Sequence, residues 1–334
     1  MTIKEVARLA GVSPAAVSRY LNGGPLSPQK RKSIADAIQK TGYRPNKVAQ
    51  TMRTGRVNLI GVIVPRINSE SVSQILNGIS DELSSRNYLT VIVCSDGLQE
   101  KETQYINILQ DNRVAGIILM GVAMNDALHE AIAACTIPVV VTGQKFEGLP
   151  CVYHDDHGAM SELTKRMIDA GRRKIAYIGV REDDVAAGLM RRRGVRETLE
   201  SAGLGADNML YTLSTFDAEG GYAGMKQLLE KAADIDGVLC ATDAIALGAM
   251  RALRESGRRI PEDVSITGIG GSWMHLIPQP ALTTMHYQYY ECGTKAVQMK
   301  LSLIEEGDSG SGQNYKRRTD QIILDYQFIE GGSL

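Results

Sequence analysis

The chain has 334 residues, 37 Lys/Arg against 38 Asp/Glu, a net charge of −1 and 43% hydrophobic residues, which excludes a collagen-like, low-complexity or membrane composition. No apolar run reaches the ~20 residues of a membrane-spanning helix and no apolar N-terminal targeting stretch stands out, so a cytoplasmic chain of two or three domains is expected. Five cysteines, at 94, 135, 151, 240 and 292, lack CxxC spacing, which argues against a zinc site or disulfide framework and for reduced thiols.

The first expected element is a short helix. Thr2 is a good N-cap with Glu5 three positions later, a capping box. Ile3, Val6, Ala7 and Ala10 recur at helical spacing, and Gly11 follows to end the turn. Ser13 caps a second helix with Pro14 at its first position, where a missing N–H costs nothing. Val17 and Leu21 face inward from it, and Ala15, Ala16, Ser18 and Arg19 outward. A third helix starts at about Ser27, with Ile34, Ala37 and Ile38 inside. Two short helices across a tight turn form a DNA-reading helix-turn-helix, whose second helix enters the major groove. The plain alternative is a helical hairpin. Charge favours DNA: residues 1–56 hold eleven Lys/Arg and two acidic residues, +9, so the other 278 carry −10.

Gly42-Tyr43-Arg44-Pro45-Asn46 follows. Pro45 breaks the preceding helix, Asn46 caps a short new one and Gly55 ends it. Two turns are too few to be stable alone, so this hinge would order only against DNA or a second copy. Its apolar side, Val48, Ala49 and Met52, suits a minor-groove wedge; a flexible linker is the other reading.

From Val57 the pattern becomes strand–helix alternation. Val57–Pro65 is a continuous apolar run, and further strands are expected near Leu89–Cys94, Gly116–Met120 and Pro138–Thr142. After Asp155 the alternation restarts, with strands at Ile175–Gly179, Leu210–Leu213, Gly237–Ala241 and Ser265–Gly268. A Gly/Ser-rich loop spans Gly307–Gly312, and one final strand, Asp320–Phe328, returns to the body. Two runs of βα units predict two parallel doubly wound sheets, with a ligand cleft beyond their strands' carboxyl ends. His154 and His157 flank Asp155-Asp156, but this HxxH lacks the helical setting of known zinc sites, so no metal is expected. No P-loop, GxSxG or paired acid/base signature occurs, so no catalytic residue or cofactor is expected either.

The runs Ile3-Lys-Glu-Val-Ala, Gly11-Val-Ser, Val17-Ser-Arg-Tyr-Leu-Asn22, Gly42-Tyr-Arg-Pro-Asn46, Ala241-Thr-Asp-Ala-Ile-Ala-Leu-Gly248 and Pro280-Ala-Leu-Thr-Thr284, in this order, closely resemble the LacI/GalR family of bacterial repressors over essentially the whole length. Within it, Pro65-Arg-Ile-Asn-Ser69, Tyr153-His-Asp-Asp156, Asp184-Val-Ala-Ala-Gly188 and Gly268-Ile-Gly-Gly271 are most similar to repressors of sucrose and trehalose operons. The resemblance implies an all-α helix-turn-helix head (1–45), a hinge (46–56) and an α/β periplasmic-binding-protein-like body (57–334) of two doubly wound parallel-sheet lobes, about 57–155 and 156–284. It also implies a homodimer on a palindromic double-stranded operator with a small effector in the cleft.

Residue by residue, the resemblance puts base reading on Pro14, Ala15 and Arg19, phosphate contact on Ser13 and Ser18, and minor-groove contact on Asn46, Ala49 and Met52. For the effector it implies Asp155, Arg191, the aromatic platform Phe216, equally readable as a core side chain, and Thr242 and Asp243, with Asp243 equally readable as a helix N-cap. Arg192 and Arg193 are expected on a solvated face. Gly270 stands where many relatives have Asp, which removes repulsion against an anion; Arg66, beside Asn68 and Ser69, adds a cation at the cleft edge. Trp273 walls the sugar or the inter-lobe hinge. These features favour a phosphorylated disaccharide, sucrose 6-phosphate before trehalose 6-phosphate, with a neutral sugar as alternative. A transport receptor of the same body fold is the competing function, disfavoured by the basic head.

Overall fold

A computed structural model describes residues 2–21, 23–43, 57–205, 209–309 and 319–334. The hinge positions Asn46, Ala49 and Met52 lie outside the described residues. The chain forms two compact units, residues 1–58 and 59–334.

The first unit holds α1 (Ile3–Ala10), α2 (Pro14–Leu21) and α3 (Pro28–Thr41). The capping box on α1 is complete: Thr2 Oγ1 accepts from Glu5 N–H, and the Thr2 N–H donates back to Glu5 Oε2 at 2.6 Å. Gly11 takes φ 63° and ends the helix in the left-handed region that glycine enters without strain. Val6, Ala7, Val17, Ile34 and Ala37 make the small core. Ala16 joins them rather than facing outward: with α1 and α3 both against α2, its core face is wider than Val17 and Leu21 alone.

The second unit contains two six-stranded sheets. The N-lobe sheet orders β11-β5-β4-β3-β1-β2, from β1 (Val57–Val64), β2 (Leu89–Cys94), β3 (Val114–Leu119), β4 (Val139–Thr142), β5 (Cys151–His154) and β11 (Gln321–Leu324). The C-lobe sheet orders β12-β10-β9-β8-β6-β7, from β6 (Ile175–Gly179), β7 (Leu210–Leu213), β8 (Gly237–Cys240), β9 (Ser265–Gly270), β10 (Thr283–Tyr287) and β12 (Tyr326–Ile329). Paired strands run parallel wherever register is defined, apart from β12, which lies antiparallel on β10. Helices α4 (Glu70–Ser85), α5 (Gln99–Asp111) and α6 (Asp126–Ala134) flank the first sheet; α7 (Asp156–Asp169), α8 (Arg191–Ser201), α9 (Ala218–Lys231) and α10 (Asp243–Glu255) flank the second.

The chain crosses between lobes three times, at 154–156, 287–289 and 324–326. The second crossing feeds α11 (Tyr289–Ser309), which packs on α4 and against β3–β5, so the N-lobe is completed from the C-terminal part of the chain. That packing is close. A Cβ on Gly78 would collide with the Tyr290 carbonyl, and one on Gly293 with that of Ile75, so each helix offers a glycine where the other's backbone approaches.

Three sequence expectations change. The single final strand is two, β11 in one sheet and β12 in the other, split at Asp325. Strands β5 and β10 were not expected, because both are short and lie beside loop-like polar motifs. Helix α11 continues to Ser309, into the stretch read as a loop. Among the described residues no helix is long and apolar enough to cross a membrane.

Candidate functional site

Two surfaces carry the chemistry, one in each unit. In the head, α2 exposes Ser13, Pro14, Ala15 and Arg19, with Ser18 half-buried. Ser13 Oγ accepts the Ala16 N–H at 3.3 Å, fixing the start of this helix. Nearby in sequence, the first turn of α3 carries no acidic residue and exposes Lys30, Arg31 and Lys32 just behind its N-terminus. Cations there oppose the helix dipole, a local cost that a polyanion would relieve.

In the body, a cavity of ≈ 380 Å³ opens between the carboxyl ends of the two sheets, within the size range of small-ligand pockets. Its centre is a buried ion pair. Arg191 begins α8 and is 5% exposed; Asp156 begins α7 and is also 5% exposed. Arg191 Nε lies 2.7 Å from Asp156 Oδ1, which also accepts from the Tyr287 hydroxyl at 3.1 Å, while Arg191 donates to the Ala241 carbonyl. Burial works against the charge on the guanidinium, but the adjoining carboxylate outweighs it and raises the Arg191 pKa well above its usual range. Burial pushes Asp156 up, and Arg191 pulls it back.

Beside this pair an aromatic wall closes one end. His154 stacks on Tyr287 with centroids 4.4 Å apart, and Tyr289 meets both rings edge-on. Burial drives the His154 pKa down to about 3, so its ring is neutral. The opposite end is built on Arg66, just past β1. Its guanidinium lies 3.8 Å from the centroid of Phe216, across the lobes. Burial lowers the Arg66 pKa, with Asp184 raising it. Asn68, Ser69 and the start of α4 line the cavity beside it. Ser69 precedes α4 without capping it; its hydroxyl pairs instead with that of Ser71 at 3.0 Å.

The C-lobe floor is acidic. Asp184 caps a π-helical turn (Val185–Met190) by accepting the Ala187 N–H at 3.0 Å, and burial raises its pKa. Thr242, not Asp243, is the N-cap of α10. Asp243 instead ties two loops together, accepting from Thr284 Oγ1 and from the Gly271 N–H at 2.7 Å. Burial raises its pKa as well. Gly270 sits at φ 146°, and a Cβ there would lie 3.1 Å from Asp243 Oδ2, so an aspartate in its place would be strained in this backbone and set against a carboxylate.

Of the sequence candidates, the cavity brings together Arg66, Asn68, Ser69, Arg191, Phe216, Thr242, Asp243 and Gly270. Two are displaced. Asp155 is exposed and spends its carboxylate on capping α7, accepting the Gly158 N–H at 2.8 Å; its neighbour Asp156 faces the cavity. Trp273 is 64% exposed on a short 3-10 turn (Trp273–Leu276) and does not line the cavity; Met274 does. Arg193 is exposed as expected, but Arg192 is half-buried over the Tyr211 ring and paired with Glu182. His157 pairs with Glu197 at 2.8 Å, so the HxxH histidines diverge, and no metal-binding group of three side chains occurs among the described residues. Sequence reasoning missed His154, Asp156, Asp184, Tyr287 and Tyr289 as lining residues. The resemblance gave Asp155; the need of a buried arginine for a carboxylate is the signal that could have directed attention to its neighbour Asp156.

Comparison with known proteins gives a family match in each of the two units. Residues 2–46 match the family described as bacterial regulatory proteins, lacI family, and residues 164–333 match a periplasmic binding protein-like domain. The regulator RegA of Clostridium saccharobutylicum is 33% identical over 98% of each chain. The sucrose operon repressor of Staphylococcus xylosus is 28% identical over 91% of this chain and 93% of its own. The solved structure of a transcriptional regulator CelR–cellobiose complex superposes with a TM-score of 0.74 at 28% identity, covering 100% of this chain and 99% of that one. A basic helical head followed by a two-lobed body with an inter-lobe cavity, with a full-length relative at 33% identity, makes the chain a member of the lacI family of bacterial regulatory proteins, a DNA-binding regulator rather than an enzyme.

Proposed function

We propose that this regulator represses a sugar-utilisation operon and that a phosphorylated disaccharide releases it, sucrose 6-phosphate before trehalose 6-phosphate. It would bind a palindromic operator as a homodimer. Arg19, Pro14 and Ala15 would read bases, Ser13 and Ser18 would hold phosphates, and Asn46, Ala49 and Met52 would reach the minor groove. The exposed apolar side chains Trp273, Leu276 and Ile277 support self-association of the body. Effector binding would shift the equilibrium between lobe arrangements and so lower operator affinity.

The observation that carries the anionic effector is the split between the two cavity arginines. Arg191 is neutralised by Asp156, whereas Arg66 has no ion pair among the described residues and lies beside a helix N-terminus whose capping hydroxyl is turned to another serine. A guanidinium, hydroxyls and free helix N–H groups together favour a phosphate. Glu70, in the same turn, has its carboxylate held by the Gln74 amide. The acidic floor of Asp184 and Asp243 supports the hydroxyl-rich remainder of a sugar. That floor also favours a second reading, a neutral disaccharide such as the cellobiose of the CelR complex.

Operator retention across a salt series, followed by release with sucrose 6-phosphate, trehalose 6-phosphate, sucrose, trehalose or cellobiose, tests this reading. Release by a phosphorylated sugar at a concentration tenfold or more below its neutral parent is expected. Arg66→Ala should weaken the phosphorylated sugar about 10–100-fold, the worth of one charge-assisted contact, and leave the neutral parent within about threefold. Release by neutral sugars alone would transfer the assignment to the second reading. Failure to retain palindromic DNA at low salt would reject operator binding.

A further inference from the structure

Three residues lining the cavity, Thr142, His154 and Ser272, bear a deeply buried polar side-chain atom without a hydrogen-bond partner among the described residues. His154 Nε2 on the N-lobe wall and Ser272 Oγ on the C-lobe wall belong to side chains each 4% exposed, and neither finds a hydrogen-bond partner among the described residues. Buried polar atoms are almost always paired, and each exception carries a desolvation cost that a bound molecule can return.

His154 is the most restrictive of the three. Its ring is fixed flat against Tyr287 and edge-on to Tyr289, so it cannot turn to another partner without breaking both contacts. The ring's hydrogen bond to the Gln288 backbone favours a ring proton, and because Nε2 has no partner that bond falls to Nδ1. A neutral imidazole that donates from Nδ1 has only a lone pair at Nε2. The cavity therefore presents, beside the Asp156–Arg191 pair, an acceptor that no protein donor satisfies. A phosphate oxygen could not use it, because both atoms would be acceptors. A sugar hydroxyl could.

We propose that His154 is a specificity-determining residue of this cavity, its Nε2 accepting a hydrogen bond from one hydroxyl of the bound sugar. The phosphate end and the hydroxyl-selecting end of the ligand then lie on different wall segments, at Arg66 and at His154. This deepens the sugar reading of the cavity and rests on it.

Calorimetric titration of the full-length protein with sucrose 6-phosphate, trehalose 6-phosphate and their neutral parents, cellobiose and the monodeoxy derivatives of each, tests the assignment. His154→Phe keeps an aromatic ring on Tyr287 but has no acceptor; His154→Gln keeps an acceptor at the ε position. The expected result is a loss of tenfold or more in affinity for H154F and a loss within about threefold for H154Q. One monodeoxy position should cost the wild type tenfold or more and cost H154F nothing further, a coupling that a merely structural role would not produce. Equal affinities of H154F and wild type, or identical deoxy penalties in both, would overturn the assignment. If H154F does not fold, the wild type still decides: a monodeoxy series without any penalised position overturns it. Absence of binding by every sugar tested would reject the sugar reading and the inference with it, whereas sugar binding that is indifferent to His154 rejects the inference alone.

Discussion

Asp156→Ala is expected to destabilise the body by about 3–5 kcal/mol, more than removal of any exposed ion pair in the molecule. The reason is what it leaves behind. Arg191 stays at 5% exposure with its guanidinium between Ala241 and Tyr287, and no change of protonation can relieve it. Arg191→Met strands Asp156 instead, and a carboxylate has an escape. Burial already raises the Asp156 pKa, so without Arg191 the folded state takes up a proton at a pH where the unfolded chain has not. Such a group gains stability for the fold as pH falls from the folded pKa towards the usual value of 3.8. Urea unfolding from pH 7 to pH 4 should therefore show R191M recovering relative to D156A. The double change Asp156→Leu with Arg191→Met should cost less than D156A alone. Parallel pH profiles for the two single variants, or a D156A cost below about 1 kcal/mol, would mean the pair is hydrated and the cavity floor is not closed as described.

The pairing also explains what the sequence could and could not disclose. The head was legible almost completely, because caps, a glycine stop and a 3.6-residue period all act within eight residues. Ala16 alone was misassigned: alanine has no strong side preference, and the third helix decides its burial. In the body, the long apolar strands announced themselves, while β5 and β10 did not, since Cys151–His154 and Thr283–Tyr287 mix polar and apolar residues without a clean alternation. Gln321–Leu324 and Tyr326–Ile329 continue one another in sequence, and only the sheet order reveals that they serve different lobes. The cavity residues taken from strand ends, such as Arg66 and Thr242, were foreseeable because topology puts strand ends at the cleft. Asp155 against Asp156 was not. Adjacent positions at a helix start diverge by a third of a turn, so one caps and the other enters the cavity, and which does which depends on where α7 begins. His154, Tyr287 and Tyr289 come together only because two lobe crossings lie side by side, a contact between residues more than a hundred positions apart.

Lys300→Met is expected to stabilise the protein at neutral pH. Lys300 is 1% exposed on α11, its ammonium nitrogen 2.8 Å from the Ala115 carbonyl and its stem pressed against Gly116 at the start of β3. No carboxylate pairs with it among the described residues, and burial lowers its pKa well below the usual 10.5. The sign follows from proton counting. Below pH 10.5 the unfolded chain takes up a proton on this lysine that the folded chain refuses, so the fold loses stability steadily as pH falls from 10.5 to the depressed folded value. The slope is about 1.4 kcal/mol per pH unit within that window. Methionine fills the same unbranched channel without a charge, at the cost of one carbonyl losing its donor, about 1 kcal/mol. The stability difference between K300M and the wild type should thus be smallest near pH 10.5 and widen in favour of the variant towards pH 7. Lys300→Gln, which keeps a donor towards the Ala115 carbonyl, should follow the same pH trend. A difference that does not change between pH 10 and pH 7 would mean that the ammonium is charged in place, with water or an anion beside it. Gly116 belongs to the same argument: a side chain there would occupy the channel, so Gly116→Ala should be tolerated worse with Lys300 present than in the shorter Lys300→Ala background, a coupling measurable in a double-mutant cycle.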